Sequence, residues 1–315
     1  MNRYYRYSAY LKQKYARKTY KITLNIPSGC PNRDGTLSKD GCIFCAPDGS
    51  GHENAASGVA LQTQWKTAKA LIEEKYKAEA FIAYFQSFSN TYLPEEQFEN
   101  YMQTAAQLDS CVALAISTRP DCIAESHLSF LSALKKETGV DISIELGLQS
   151  ANDDTLKVLN RCHTAADVLD VGARIKKAGL ELCLHMITSL PWDSERDVIH
   201  AAGIANELDC ESVKVHSLYV PKGTMLEEMV RTGKVTLLSQ EDFIDRTIVF
   251  LEHLDADIAV QRLVSRVTEE RDSPYGWHKS WWKVLEELEA EMDKRDSFQG
   301  KNVNICGKTW YNIGD

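Results

Sequence analysis

Three of the chain's nine cysteines fall within one polar, glycine-punctuated stretch, "SGCPNRDGTLSKDGCIFC" (28–45), spaced C-x11-C-x2-C. Cys42 and Cys45 stand close enough for both thiolates to bind one centre from a single turn. Pro31, Gly35 and Gly41 let the intervening chain fold back and bring Cys30 to the same place. Three thiolates are an incomplete set for a structural zinc ion, which needs a fourth ligand such as His52. A four-iron, four-sulfur (4Fe-4S) cluster accepts three protein ligands when something else completes the fourth iron. An open iron would let a small molecule bearing an amine and a carboxylate chelate the cluster and receive an electron.

The elements that must position this loop are legible as short apolar, β-branched runs: "YKITLNI" (20–26), "FIAYF" (81–85), "VALAIST" (112–118), "ISIELGL" (142–148), "LCLHMI" (182–187), "VKVHSL" (213–218) and "IAVQRL" (258–263). Helical periodicity lies between them, as in 64–80, in 94–108 with Pro94 near its start, and in 165–179 with Gly179 as a stop signal. Repeated strand–helix alternation predicts an α/β fold of parallel strands with right-handed crossovers. The first strand has no phosphate-type glycine loop after it, and polar residues recur just beyond strand ends. A partial (β/α)6-type TIM barrel is therefore expected over 20–265, with functional groups at its carboxyl-terminal rim and the cysteine loop at the first rim position. Residues 266–315 read as a helical extension in which Trp277, Trp281 and Trp282 pack at helical spacing.

The 315 residues hold 43% apolar side chains, enough for a large core. The amino terminus is charged and tyrosine-rich with no apolar signal segment, and no stretch approaches the roughly 20 apolar residues of a membrane span. The expected location is cytoplasmic, with no membrane partner. Reduced thiols follow from that location, so Cys111, Cys122, Cys162, Cys183 and Cys210 read as small buried hydrophobes. A net charge of −9 argues against a protein that coats nucleic acid, and no DNA partner is expected. Residues 1–33 nevertheless carry eight basic residues and no acid, interleaved with six tyrosines. The arm over 1–19 is either a strip for phosphates and unpaired bases or an amphipathic segment packed on the body.

The cysteine loop, with Phe44 before the last thiol, resembles the radical-SAM signature, and its eleven-residue gap resembles the YtqA/YhcC family of radical-SAM proteins. Further motifs carry the same resemblance: "YFQSFSNTY" (84–92), "STRPDC" (117–122), "IELGLQS" (144–150), "LNRCHT" (159–164) and "VKVHSLYVPKGT" (213–224). The resemblance implies that Cys30, Cys42 and Cys45 ligate a 4Fe-4S cluster whose unique iron binds S-adenosylmethionine (SAM), reductively cleaved to a 5'-deoxyadenosyl radical. It also implies SAM contacts: Gln86 on the amino group, Thr118 and Glu145 towards the methionine and ribose portions, Gln149 and His185 at the ribose, and Arg161 on the carboxylate. His216 reads as a core histidine. The MnmL-like branch of the family, related to Elp3-type radical-SAM domains, implies conversion of carboxymethylaminomethyl to aminomethyl on a tRNA wobble uridine. The expected partners are then a tRNA anticodon stem-loop and a reductase such as flavodoxin or ferredoxin. Asn90, Tyr92, Tyr219 and Lys222, just beyond strand ends, are the candidate substrate contacts. Two other readings stay open: a radical-SAM enzyme for a small metabolite or peptide, and a non-catalytic zinc or redox-sensing protein.

Overall fold

The computed structural model describes residues 2–46, 49, 58–266 and 275–303; His52, residues 267–274 and the last twelve residues lie outside the described residues. Seven parallel strands run in chain order across one sheet: β1 Thr19–Leu24, β2 Ala80–Phe85, β3 Cys111–Thr118, β4 Asp141–Gln149, β5 Glu181–Ile187, β6 Ser212–His216 and β7 Ala259–Arg262. The helices are α1 Tyr7–Tyr15, α2 Leu61–Tyr76, α3 Glu95–Ala106, α4 Glu125–Thr138, α5 Asp153–Val158, α6 Ala165–Lys177, α7 Glu195–Glu207, α8 Met225–Arg231, α9 Gln240–Glu252 and α10 Trp281–Lys294. Each strand pairs only with its sequence neighbours, and β1 and β7 do not pair with each other, so the sheet is an open half-barrel. The short "IAVQRL" run forms the seventh of the strands read from the sequence, one more than the six of the barrel type expected.

Strand alternation divides each strand between two environments. Ile22, Leu24, Phe81, Phe85, Leu114, Ile116, Ile142, Ile144, Leu182 and Leu184 are fully buried in the main core between sheet and helices. The concave side is layered. At its amino-terminal end α1 lays Leu11 into an apolar cluster with Ile82, Tyr84, Ala113 and Ala115, flanked by Tyr7, Tyr10 and Tyr15. Lys14 pairs with Asp141 and Glu181 at the starts of β4 and β5, and Tyr15 donates to Asp141 (3.0 Å). The basic segment is thus the packed alternative for much of its length: Arg3 pairs with Asp293 and Asp296, and Arg6 with Glu289, both on or beside α10. Lys12, Arg17 and Lys18 stay exposed.

The tryptophan helix starts later than its spacing suggests. Trp277 precedes α10, sits half-buried against Phe243 and donates to Leu238 O (3.1 Å), whereas Trp281 and Trp282 are exposed on the first turn. Packing by α10 falls instead to Val284, Leu288 and Met292. Among the spare cysteines, Cys122, Cys183 and Cys210 are buried as expected, Cys111 is half-buried, and Cys162, at a left-handed φ of 55°, is exposed with its thiol donating to Asn32 Oδ1 (3.0 Å).

Candidate functional site

A cavity of about 1180 Å³ occupies the carboxyl-terminal half of the barrel and continues to the gap between β1 and β7. The cysteine loop forms its roof. Backbone bonds from Arg33 to Cys30 O (2.9 Å) and from Cys45 to Cys42 O (2.9 Å) make two tight turns, and Gly41 takes a φ of 72° between them. Ile43 anchors the loop by entering an apolar cluster with Leu159, Ile187, Leu190, Val220 and Leu226, exchanging backbone bonds with Leu159 and Leu226. Asn160, also left-handed at φ 54°, ties the loop to the segment after α5 through Gly41 O (2.7 Å) and Ser38 Oγ (3.1 Å).

Polar groups converge on the sulfurs. Arg161 Nη1 and Asn32 Nδ2 donate to Cys42 Sγ (3.4 and 3.5 Å), and Arg33 Nη1 donates to Cys45 Sγ (3.5 Å). Arg161 is buried and held by Gly147 O (2.9 Å) and His163 Nε2 (3.1 Å); it has no carboxylate partner among the described residues. Arg119 is buried against Asp121 and Arg161 O (2.6 Å), with Nη1 unpartnered and its charge felt at Cys30. Burial raises the Cys30 thiol and pushes Cys45 up to about 11, so ionisation there accompanies metal binding.

The donor set fits a cluster better than a single ion. The three sulfurs line one cavity but do not all lie within 4.8 Å of one another, whereas Zn–S bonds of about 2.3 Å would bring tetrahedral thiolates to roughly 3.8 Å. Surrounding guanidinium groups compensate the negative charge that three thiolates bring.

Below the roof lies a second polar layer. Glu145 is fully buried on β4 and meets Lys21 from β1, Lys214 from β6 (3.1 Å) and His185 from β5 (2.7 Å). Burial alone would raise its carboxyl, but the two ammonium groups and the imidazole outweigh that and hold it well below the usual carboxylate range. Tyr84 accepts from Lys214 (2.6 Å) while both lysines sit over its ring, at 4.4 and 4.3 Å. Burial lowers His185 to about 4 and His216 well below its ordinary value, so both imidazoles are neutral. Glu145, Cys183 and His185 bring ligand atoms within 4.8 Å, but both carboxylate oxygens already face the ammonium groups of Lys21 and Lys214, and burial pushes Cys183 up to about 12.

Of the residues singled out in the sequence, Cys30, Cys42, Phe44, Cys45, Gln86, Thr118, Glu145, Gln149, Arg161, His185 and Tyr219 all line this cavity. Gln149 does so from a left-handed position, φ 68°, at a register break between β4 and β5; glycine at 147 lets two side-chain ends close in, since a Cβ there would lie 2.7 Å from Gln149 Nε2 and 2.9 Å from Arg161 Nη2 and make both shift. Three expected substrate contacts fall elsewhere. Asn90 is buried and its amide is spent on Phe85 O (3.1 Å) and Ser117 O (2.9 Å), bracing the ends of β2 and β3. Tyr92 packs on Gly29 and bonds Thr36, and Lys222 is exposed outside the cavity lining. Sequence reasoning missed Lys21, Tyr84, Lys214 and Arg262, whose strand positions alternate towards the interior; a cation at an inward position of an otherwise apolar strand is the signal that could have found them.

An open half-barrel of seven parallel strands, with a three-thiol loop after the first and a polar cavity beneath it, defines a radical-type α/β barrel class. The sequence agrees: residues 24–204 match the Radical SAM superfamily model and residues 210–294 the Radical_SAM C-terminal domain. This chain belongs to the radical-SAM superfamily and is a YtqA/YhcC-like member of it. It is 32% identical over 299 residues to the protein YtqA of Bacillus subtilis (strain 168), covering 95% of this chain and 92% of the relative. The protein YhcC of Escherichia coli (strain K12) is 26% identical, with 95% and 94% covered. Among solved structures, the archaeal Elp3 of Methanocaldococcus infernus superposes with a TM-score of 0.67 at 17% identity, over 89% of this chain and 64% of that one. The cofactors of this superfamily, and of this enzyme, are a 4Fe-4S cluster and SAM. No helix among the described residues is long and apolar enough to cross a membrane.

Proposed function

We propose that this radical-SAM enzyme acts on the wobble uridine of tRNA, converting its carboxymethylaminomethyl group to aminomethyl. The observation that carries the reading is the cavity itself: its lining combines three thiols with Lys21, Lys214 and Arg262, and the exposed cations Lys12, Arg17, Lys18 and Arg266 border it. Support of a second kind comes from relatives. A 138-residue stretch, 43% of this chain but 25% of the relative, is 30% identical to the tRNA uridine(34) acetyltransferase of Methanocaldococcus infernus. Yeast Elongator complex protein 3 is 30% identical over 150 residues, 47% of this chain and 26% of that one.

In this reading Cys30, Cys42 and Cys45 hold the cluster, and Arg33, Asn32 and Arg161 steady the sulfurs by donating to them. When bound, the cluster and SAM supply an electron and a carbon-centred radical able to take hydrogen from an unactivated carbon. The protein's own task is placement. Gln149, Thr118 and Gln86 offer polar contacts under the loop, Phe44 and Ile187 give an apolar wall, and Glu145 with its lysines sets the charge of the floor. A methylene flanked by amine and carboxylate suits hydrogen abstraction, because both neighbours stabilise the resulting radical; transfer of one further electron to the redox partner would give an imine, and water would hydrolyse its C=N bond to leave the aminomethyl group and release the two carbons as glyoxylate.

Lys12, Arg17, Lys18 and Arg266, exposed along the open side, are the phosphate contacts of this proposal, and a base splayed from the anticodon loop would reach the cavity from there. The test is mass spectrometry of tRNA nucleosides from a deletion strain, together with anaerobic turnover of that tRNA. Accumulation of the carboxymethylaminomethyl nucleoside is expected. An unchanged nucleoside profile, with 5'-deoxyadenosine still formed on reduction, would move the substrate to a small metabolite or peptide.

A further inference from the structure

The floor of the cavity carries more positive than negative charge. Lys21 and Lys214 share the single carboxylate of Glu145, and both histidines beside them are neutral. Arg262, at the end of β7, adds a further cation. Its Nη2 donates to His216 Nδ1 (2.9 Å), its Nε is hidden from water with no hydrogen-bond partner, and no carboxylate lies within ion-pair reach of it among the described residues. Burial, with Arg266 nearby, lowers its affinity for its proton, although Tyr84 and Glu145 act in the opposite direction.

Buried cations are ordinarily paired, because desolvating an unpaired one is costly. The guanidiniums nearest the sulfurs obey that rule. Arg119 has Asp121, and Arg161 and Arg33 face sulfurs that become thiolates when metal binds. Among the described residues Arg262 lines the cavity without an ion-pair partner of its own, Glu145 acting on it only from beyond ion-pair distance. We propose that Arg262, backed by Lys21 and Lys214, is the binding site for an anionic group of the substrate, a carboxylate or a phosphate, where the cavity meets the end of β7. A planar guanidinium suits either oxyanion, whereas the ammonium groups beneath contribute charge without geometry. The inference rests on reading this cavity as the substrate site; within the proposed function the anion is the carboxylate of the carboxymethylaminomethyl group.

The experiment measures binding calorimetrically to enzyme reconstituted anaerobically with cluster and SAM. The probes are 5-carboxymethylaminomethyluridine, its methyl ester, uridine and uridine 5'-monophosphate. A tenfold or greater preference for the acid over the ester, lost in Arg262→Gln and partly kept in Arg262→Lys, is the expected result. A preference for the monophosphate over uridine, lost in the same variant, would make phosphate the source of the anion. The inference is overturned if the wild type shows neither preference, or if either survives in Arg262→Gln. Thermal melting of the apoprotein separates recognition from scaffolding: removing a buried charge with no ion-pair partner leaves the Arg262→Gln melting temperature unchanged or raises it, whereas a merely structural arginine would lower it. Failure of the tRNA reading looks different, since anion preference at Arg262 would persist while the modified tRNA went unconverted.

Discussion

Replacing Glu145 by Gln tests the charge arrangement on which the interior depends. The substitution keeps size and one acceptor oxygen but leaves Lys21 and Lys214 without a counter-charge, both lysines being largely withdrawn from water. Breaking a buried ion pair by removing one partner costs about 3–5 kcal/mol. The retained amide oxygen and the open cavity argue for the lower end, about 3 kcal/mol, which in a chain of this size lowers Tm by roughly 6–12 °C. Urea unfolding of the apoprotein at neutral pH reads the change directly, as a shifted midpoint with an unchanged slope. The sign with pH is also determined. Because the folded carboxyl sits well below 4.5, its contribution is fully present above that pH and is lost as pH falls through its folded value, so the gap between wild type and variant must narrow in acid. A Lys21→Met change added to Glu145→Gln should recover part of the loss, since it removes one orphaned charge. A destabilisation below about 1 kcal/mol, or a gap that widens on acidification, would refute the reasoning.

Gly147→Ala makes the side-chain ends of Arg161 and Gln149 shift; a loss of about 1 kcal/mol, the low end for overpacking, and a lower iron content per chain as Arg161 moves off Cys42 are expected, measured by unfolding and by colorimetric iron assay. Asp193 carries the opposite pH signature to Glu145. Burial raises its carboxyl to about 6 from 3.8, so its linked stability is complete below pH 4 and disappears as pH rises through 6; Asp193→Asn should flatten that stretch of the stability profile by roughly 2–3 kcal/mol. Deleting residues 1–18 removes Leu11 and Lys14 from the barrel floor and should unfold or aggregate the protein rather than merely weaken RNA binding. Reversing the charges of Lys12, Arg17 and Lys18 instead should leave Tm within about 1 °C, because these side chains are exposed, while reducing the salt dependence of tRNA binding in a gel-shift titration.

The sequence by itself determined the elements and the cysteine loop. Strand runs such as "VALAIST" and "ISIELGL" lie within a residue or so of β3 and β4, because period and β-branching act locally, and Gly41 could be read as a turn because few other residues tolerate its φ. Tertiary structure alone decided which charges meet. Lys21 and Glu145 are 124 residues apart and Lys214 and Glu145 are 69 apart, so their pairing is a product of strand order and register rather than of any neighbouring residue. Asn90 looked available for substrate because it follows a strand, yet the close ends of β2 and β3 need its amide for their carbonyls. The basic arm could have lain free or packed; the apolar faces of Tyr7, Leu11 and Tyr15 tipped the balance, because the open floor of a seven-stranded half-barrel offers them a site that exists only once the sheet has formed.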